Sequence, residues 1–128
     1  KQNKMNIEKL KLLYKKYELT KEDVFKHAHY IIITRSGIDK IQGVAGIKIN
    51  YDVIKCETNF AVVKASTDKL STFGSALKGN TFKDGNTNSW YVMEMAEKRA
   101  MSRLVLKTCG FYELGVFGED EAEDFKRK

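Results

Sequence analysis

The chain contains no proline, two cysteines, two histidines and one tryptophan in 128 residues. The lack of proline suits well-formed elements joined by tight glycine turns. Two cysteines, Cys56 and Cys109, cannot frame a disulfide scaffold, and we read them as buried free thiols of a cytosolic protein. His27 and His29 are two apart with no third ligand nearby in sequence, so the spacing does not indicate a zinc site. No apolar run approaches the ~18 residues of a membrane span; none is longer than the one from Tyr30 to Ile33. No signal peptide is legible in the sequence given, which begins at Lys1. Gly74-Ser75-Ala76-Leu77-Lys78-Gly79 lacks the phosphate-loop spacing, and no Ser/His/Asp or Cys/His set has a local signature. No repeat or low-complexity segment is present. The expectation is a non-enzymatic protein without cofactor or metal.

What the chain does have is positive charge. Lysine and arginine outnumber acids 23 to 17, and hydrophobic content of 42% with 31% charged residues fits one globular domain. The imbalance is uneven. Residues 1–118 hold 20 lysines and arginines against 12 acids, a body of +8, whereas 119–124 hold five acids in six positions. We therefore divide the chain into a 1–118 domain and a 119–128 tail, acidic then basic. A basic body with an acidic end fits a polyanion binder whose tail competes for its own site or recruits a partner. A merely solubilising terminus is the plainer reading.

Periodicity predicts an α+β fold. Ile7, Leu10, Leu13, Tyr14 and Tyr17 mark a helix over 5–17. Thr20-Lys21-Glu22-Asp23 resembles a capping box opening a short helix to about His27. Tyr30–Ile33 reads as a short strand. Thr34 or Ser36 caps a helix with Ile38, Ile41, Val44 and Ala45 on its inner face, and Gly46 ends it. Ile47, Ile49, Tyr51 and Val53 alternate with polar residues as in a half-buried strand. Phe60–Ser66 is its antiparallel return, and Leu70–Leu77 is a third strand with a bulge expected at Gly74. Residues 78–89 form a polar loop expected to be mobile, and the longest helical segment lies between Trp90 and Gly110. The expected fold is N-terminal helices, a three-stranded antiparallel meander and a long C-terminal helix.

In that last helix Met93, Ala96, Ala100, Met101, Leu104 and Val105 form an apolar stripe. Arg99, Arg103 and Lys107, each four apart, line up beside it. Such a row can grip successive phosphates, or it can be a solvated face. Lys48, Lys55 and Lys64 on the meander and Lys78 and Lys83 in the loop are further candidates. Phe82, Trp90 and Tyr91 could stack on bases, Trp90 alternatively packing in the core. Glu94 and Glu97 are read as partners in the surface charge lattice of the helix.

Two segments carry a resemblance. Ile33-Thr34-Arg35-Ser36-Gly37-Ile38-Asp39-Lys40-Ile41, leading to Gly46-Ile47, is similar to a Thr-x-x-Gly helix that ends in Gly-Ile. Met95-Ala96-Glu97-Lys98-Arg99-Ala100-Met101-Ser102-Arg103-Leu104, followed by Cys109-Gly110-Phe111, resembles an Ala-x-x-[KR]-Ala-x-x-[RK]-Ala helix. Both are patterns of the Rad52/Erf-like phage single-strand annealing (recombination) proteins, and Phe117–Ala122 looks like the acidic end of such domains. The resemblance implies a β-β-β-α core assembled into ring or arc homo-oligomers. It implies single-stranded DNA bound in a basic groove between meander and helix, and complementary strands paired without ATP, in recombination and repair within the cytoplasm of a bacterial host. It places Arg99 and Arg103 in the basic positions of the long helix, and Arg35 and Lys40 beside the Thr-x-x-Gly helix. A replication or nuclease partner could be recruited by the tail. The alternative is a partner-binding protein of a phage or mobile element that does not anneal strands.

Overall fold

A computed structural model describes residues 4–28, 30–81 and 83–121. The elements are α1 (Lys4–Lys16), β1 (Val24–His27), β2 (Tyr30–Ile33), α2 (Arg35–Ala45), β3 (Asn50–Cys56), β4 (Phe60–Ser66), β5 (Ser71–Leu77), α3 (Val92–Thr108) and β6 (Val116–Gly118). Single 3-10 turns, Tyr112–Leu114 and Glu119–Glu121, flank β6. The fold is α+β, with the expected antiparallel meander β3-β4-β5 and long final helix. A second sheet, β1-β2-β6, was not anticipated; in it β6 runs parallel to β2.

The segment after Thr20 departs from expectation. Asp23 does accept from the Thr20 amide at 2.9 Å and its hydroxyl at 3.1 Å, as a capping residue would. The chain then extends instead of coiling, because Val24–His27 pairs antiparallel with Tyr30–Ile33. An isolated helix of so few residues is marginal, and a strand gains a full ladder. At α2 the expected cap holds: the Thr34 side chain accepts from the Gly37 amide, and Gly46 closes the helix at φ 66°. Val44 and Ala45 are exposed, so the inner face of α2 is Gly37, Ile38 and Ile41.

Helix α3 divides two cores. One gathers Leu10, Tyr17, Ile33, Ile38, Ile41, Met101, Val105, Leu106, Phe111 and Val116. The other lies between α3 and the meander and holds Ala61, Val63, Ala65, Ala76, Val92, Ala96, Ala100 and Leu104. Buried on two sides, α3 keeps few solvated positions. Its small residues allow very close approach to β5. A Cβ on Gly74 would stand 2.3 Å from the Ala96 carbonyl and 2.4 Å from the Ala100 amide. Gly74 therefore marks a helix crossing and not a bulge, and it pairs regularly with Val63. The irregularity falls on β3 instead, where the register shifts between Val53 and Lys55.

Strand β3 begins at Asn50, so Ile47 and Ile49 precede it and pack on the first core. Tyr51 and Val53, expected to be half buried, are 41% and 59% exposed. Helix α3 packs chiefly on β4 and β5, and only Glu97 of the helix acts on Tyr51. The described residues of the 78–89 loop are held where we expected mobility: Gly79 donates to the Thr87 carbonyl at 2.8 Å, and Gly79, Gly85 and Thr87 are buried.

Candidate nucleic-acid interface

The cation row of α3 is the first feature to examine, and its geometry corrects the reading from spacing. Arg99 is 2% exposed. Its Nη1 donates to the Ser75 carbonyl at 2.9 Å, its Nη2 to the Asn86 carbonyl at 2.9 Å and its Nε to the Asp120 carbonyl at 3.2 Å. It sits within the packed surface of α3, because the helix has cores on two sides, and not beside an apolar stripe. Arg103 donates to the Phe73 carbonyl at 2.8 Å and pairs with Glu121 at 2.8 Å. Lys107 alone of the row is exposed, and its ammonium lies 5.3 Å from the centre of the Tyr112 ring.

The acidic segment explains these ties. Glu119, Asp120 and Glu121 turn back over α3 and α2, so a flexible tail does not start at Glu119. Asp120 accepts from the Ser102 hydroxyl at 2.8 Å and pairs with Arg35 at 3.4 Å, while Glu119 accepts from the Arg35 amide at 2.9 Å. Arg35 also pairs with Asp39 at 3.5 Å. Lys40 is tied elsewhere, to Asp23 at 2.7 Å. That ammonium, with bonds from Thr20 and Ser36, holds the Asp23 carboxyl down at about 2, well below its usual range. Four of the candidate cations thus answer groups of the chain itself. The remaining acids of the tail, Glu123 and Asp124, lie outside the described residues.

The groove implied between meander and helix is filled by the second core, so the open surface of the meander is its other side. Alternation puts Ala61, Val63, Ala65, Thr72, Gly74 and Ala76 against α3 and their neighbours outward. Register then builds outer cross-strand rows: Asn50–Ser66–Ser71, Asp52–Lys64–Phe73, Lys55–Val62–Ser75 and Phe60–Leu77. Phe73 is 50% exposed and Leu77 37%. Lys64 has no side-chain partner among the described residues, and Lys55 reaches only Glu57 at 3.5 Å, both more than half exposed. Among the described residues no helix or strand packs on this face.

Cations flank it at both ends. At the Phe60–Leu77 end, the Lys78 ammonium lies 4.6 Å from the centre of the Trp90 ring, and Lys83 is exposed in the loop. Trp90 is 63% exposed and Tyr91 71%, so Trp90 is a surface aromatic and not a core residue. Phe82 lies outside the described residues. At the opposite end an open cleft of about 630 Å³ brings Lys48 and Lys107 together with Lys69, among Gly46, Thr67 and Thr108. Sequence reading missed Lys69, which is placed by the Thr67-Asp68-Lys69 turn, and Phe73, whose outward phase follows from the β5 alternation.

Tyr17 and Cys109 belong to the first core. Tyr17, pushed up to about 12 by burial and by its bond with Cys109, packs on Phe111 with ring centres 5.8 Å apart. Burial also raises the Cys109 thiol, whereas Cys56 is exposed, contrary to the expected buried pair; both are free. Among the described residues no group of three or more His, Cys, Asp or Glu side chains could hold a metal, and no helix is long and apolar enough to cross a membrane. His29 lies outside the described residues.

Comparison with protein-family models, with curated proteins and with solved structures finds no match.

Proposed function

We propose that this domain binds single-stranded DNA on the outer face of the meander and promotes ATP-independent annealing of complementary strands in phage or plasmid recombination, in the cytoplasm of a bacterial host. The observation that carries the reading is the outer sheet face itself, where Phe73 stands half exposed across from Lys64, which has no side-chain partner among the described residues. An aromatic on an open sheet can stack on a base whatever its identity, and lysines beyond both ends can follow the phosphates. Annealing breaks no covalent bond. It requires that two polyanions be screened and their bases kept exposed, which a cationic scaffold with stacking side chains supplies. Arg35, Lys40, Arg99 and Arg103, which the family resemblance would place on DNA, serve the fold in this reading. Lys48, Lys55, Lys64, Lys78, Lys83, Lys107 and Trp90 stay as candidate contacts.

The test is a labelled oligonucleotide titrated at increasing salt, with strand pairing followed in parallel. Affinity should fall steeply with salt, with little sequence preference, and pairing should accelerate without nucleotide. Salt-independent binding or none would remove the reading. The partner-binding alternative is favoured by a different observation: β3 ends the sheet and leaves Tyr51, Val53 and Ile54 exposed.

A further inference from the structure

We infer that two copies of this chain join through the free edges of β3, antiparallel, so that their meanders become one six-stranded sheet. The inference deepens the strand-binding reading and rests on it only for its purpose, since the dimer itself needs no DNA.

The meander has two edges, and the chain closes one. Thr67 donates to the Leu70 carbonyl and Lys78 to the Asn59 carbonyl. The alternation of an antiparallel ladder then turns the amides and carbonyls of Ser71, Phe73, Ser75 and Leu77 away from β4. That row is occupied. Arg103 holds the Phe73 carbonyl, Arg99 the Ser75 carbonyl, and Leu77 exchanges bonds with Asn86 at 2.8 and 2.9 Å. Another strand cannot pair there. Strand β3 ends the other side of the sheet and has no such cover among the described residues. A second copy that joins its own meander to this one must therefore meet β3 with its own β3.

The β3 irregularity selects the register. Glu57 donates to the Phe60 carbonyl, which fixes Lys55 as bonded to β4 and Cys56 as turned outward. Beyond the shift, Asp52 faces Lys64, so Tyr51 is turned outward too. In a regular strand two residues five apart point to opposite edges; the bulge at Ile54 gives Tyr51 and Cys56 the same one. A two-fold axis between Val53 and Ile54 then sets Tyr51 opposite the partner's Cys56 and Asp52 opposite the partner's Lys55. The charge pair forms twice, on the outer face, while a slipped register sets unlike groups together. Tyr51 and Val53, on the helix side, with Ile54 in the bulge, gain further cover for the 41%, 59% and 56% of their surface left exposed.

The axis stands perpendicular to the sheet, so both outer faces look the same way and run antiparallel to each other. Strands bound one to each meander would lie antiparallel, which is how complementary strands pair.

Light scattering without DNA, across a dilution series, tests this on the whole chain. D52K sets lysines opposite lysines, K55D sets acids opposite acids, and D52K with K55D restores the pairs in reversed sense. We expect a wild-type dimer, dissociation at least about tenfold easier for each single variant, and a double variant within about threefold of wild type. Nitroxides on the exposed Cys56 of both copies should report a separation of about 20 Å, five residues along a strand and one strand across. A monomer throughout the series, a dimer the single changes do not weaken, or a double variant that fails to recover would each overturn the proposal. A dimer that binds no strand would remove the function alone, and strand binding by a strict monomer would remove the dimer alone.

Discussion

On the helix side of the meander, Arg99 is 2% exposed and gives its donors to three carbonyls. On the other side of the same sheet, Phe73 is half exposed and its neighbour Lys64 meets no side-chain partner among the described residues. Both sides carry cations, but Arg99 and Arg103 on the helix side are held by groups of the chain itself. A cation's place in the sequence gives its sign and its phase. Whether the charge is already used depends on what folds back onto it, here the Glu119–Glu121 turn and the Asn86 loop. Cations that answer the chain's own groups should govern stability, and those on the open face should govern binding.

The contrast breaks most visibly at Arg99. Arg99→Ala should cost about 4 kcal/mol, because three carbonyls lose a donor inside the fold and a cavity remains. Thermal melting should fall by more than about 10 °C. A variant as stable as the parent would make Arg99 an ordinary surface cation after all. Gly74→Ala probes the same interface without touching charge. The new methyl meets α3 backbone, so the helix must lift, at about 2–3 kcal/mol by urea denaturation.

A smaller effect separates two lysines. Lys40 holds the Asp23 carboxyl at about 2, below the ordinary 3.8. A carboxyl depressed in the folded state stabilises the protein above its unfolded pKa and loses that contribution as pH falls through the folded one. Stability should therefore drop between about pH 4 and pH 2, and Asp23→Asn should flatten that part of the profile. We expect about 1–2 kcal/mol, less than the full linkage value because Lys40 is 42% exposed and screened by water. Lys64→Ala should change stability by less than about 0.5 kcal/mol in the same denaturation series. A larger loss would show Lys64 to be structural.

The helices, the meander and the Thr34 and Gly46 caps of α2 were legible because periodicity and capping chemistry are local. The β1-β2-β6 sheet was not, since β6 is three residues long and joins β2 from the far end of the chain. The Thr20–Asp23 signal was read correctly as chemistry and wrongly as a helix, because the choice between coil and ladder depends on the strand that follows. The candidate site divides in the same way. Lysines outside the apolar phases could be found by alternation, as at Lys64. Arg99 could not be assigned from spacing, for a helix with cores on two sides has no fixed polar stripe. Its partners lie at Ser75, Asn86 and Asp120, two of them in segments taken to be loop and tail.

An NMR titration of the labelled protein with a short single-stranded oligonucleotide at low salt tests the division between the two sides most directly. The account predicts shifts that concentrate on Phe60, Val62, Lys64, Phe73 and Ser75 and on the flanking lysines, with Ala96 to Leu104 of α3 unmoved. In the same assay Phe73→Ala should bind about tenfold more weakly at unchanged stability, the loss of one stacked base. Shifts centred on Arg99 and Arg103, with a quiet sheet face, would contradict it.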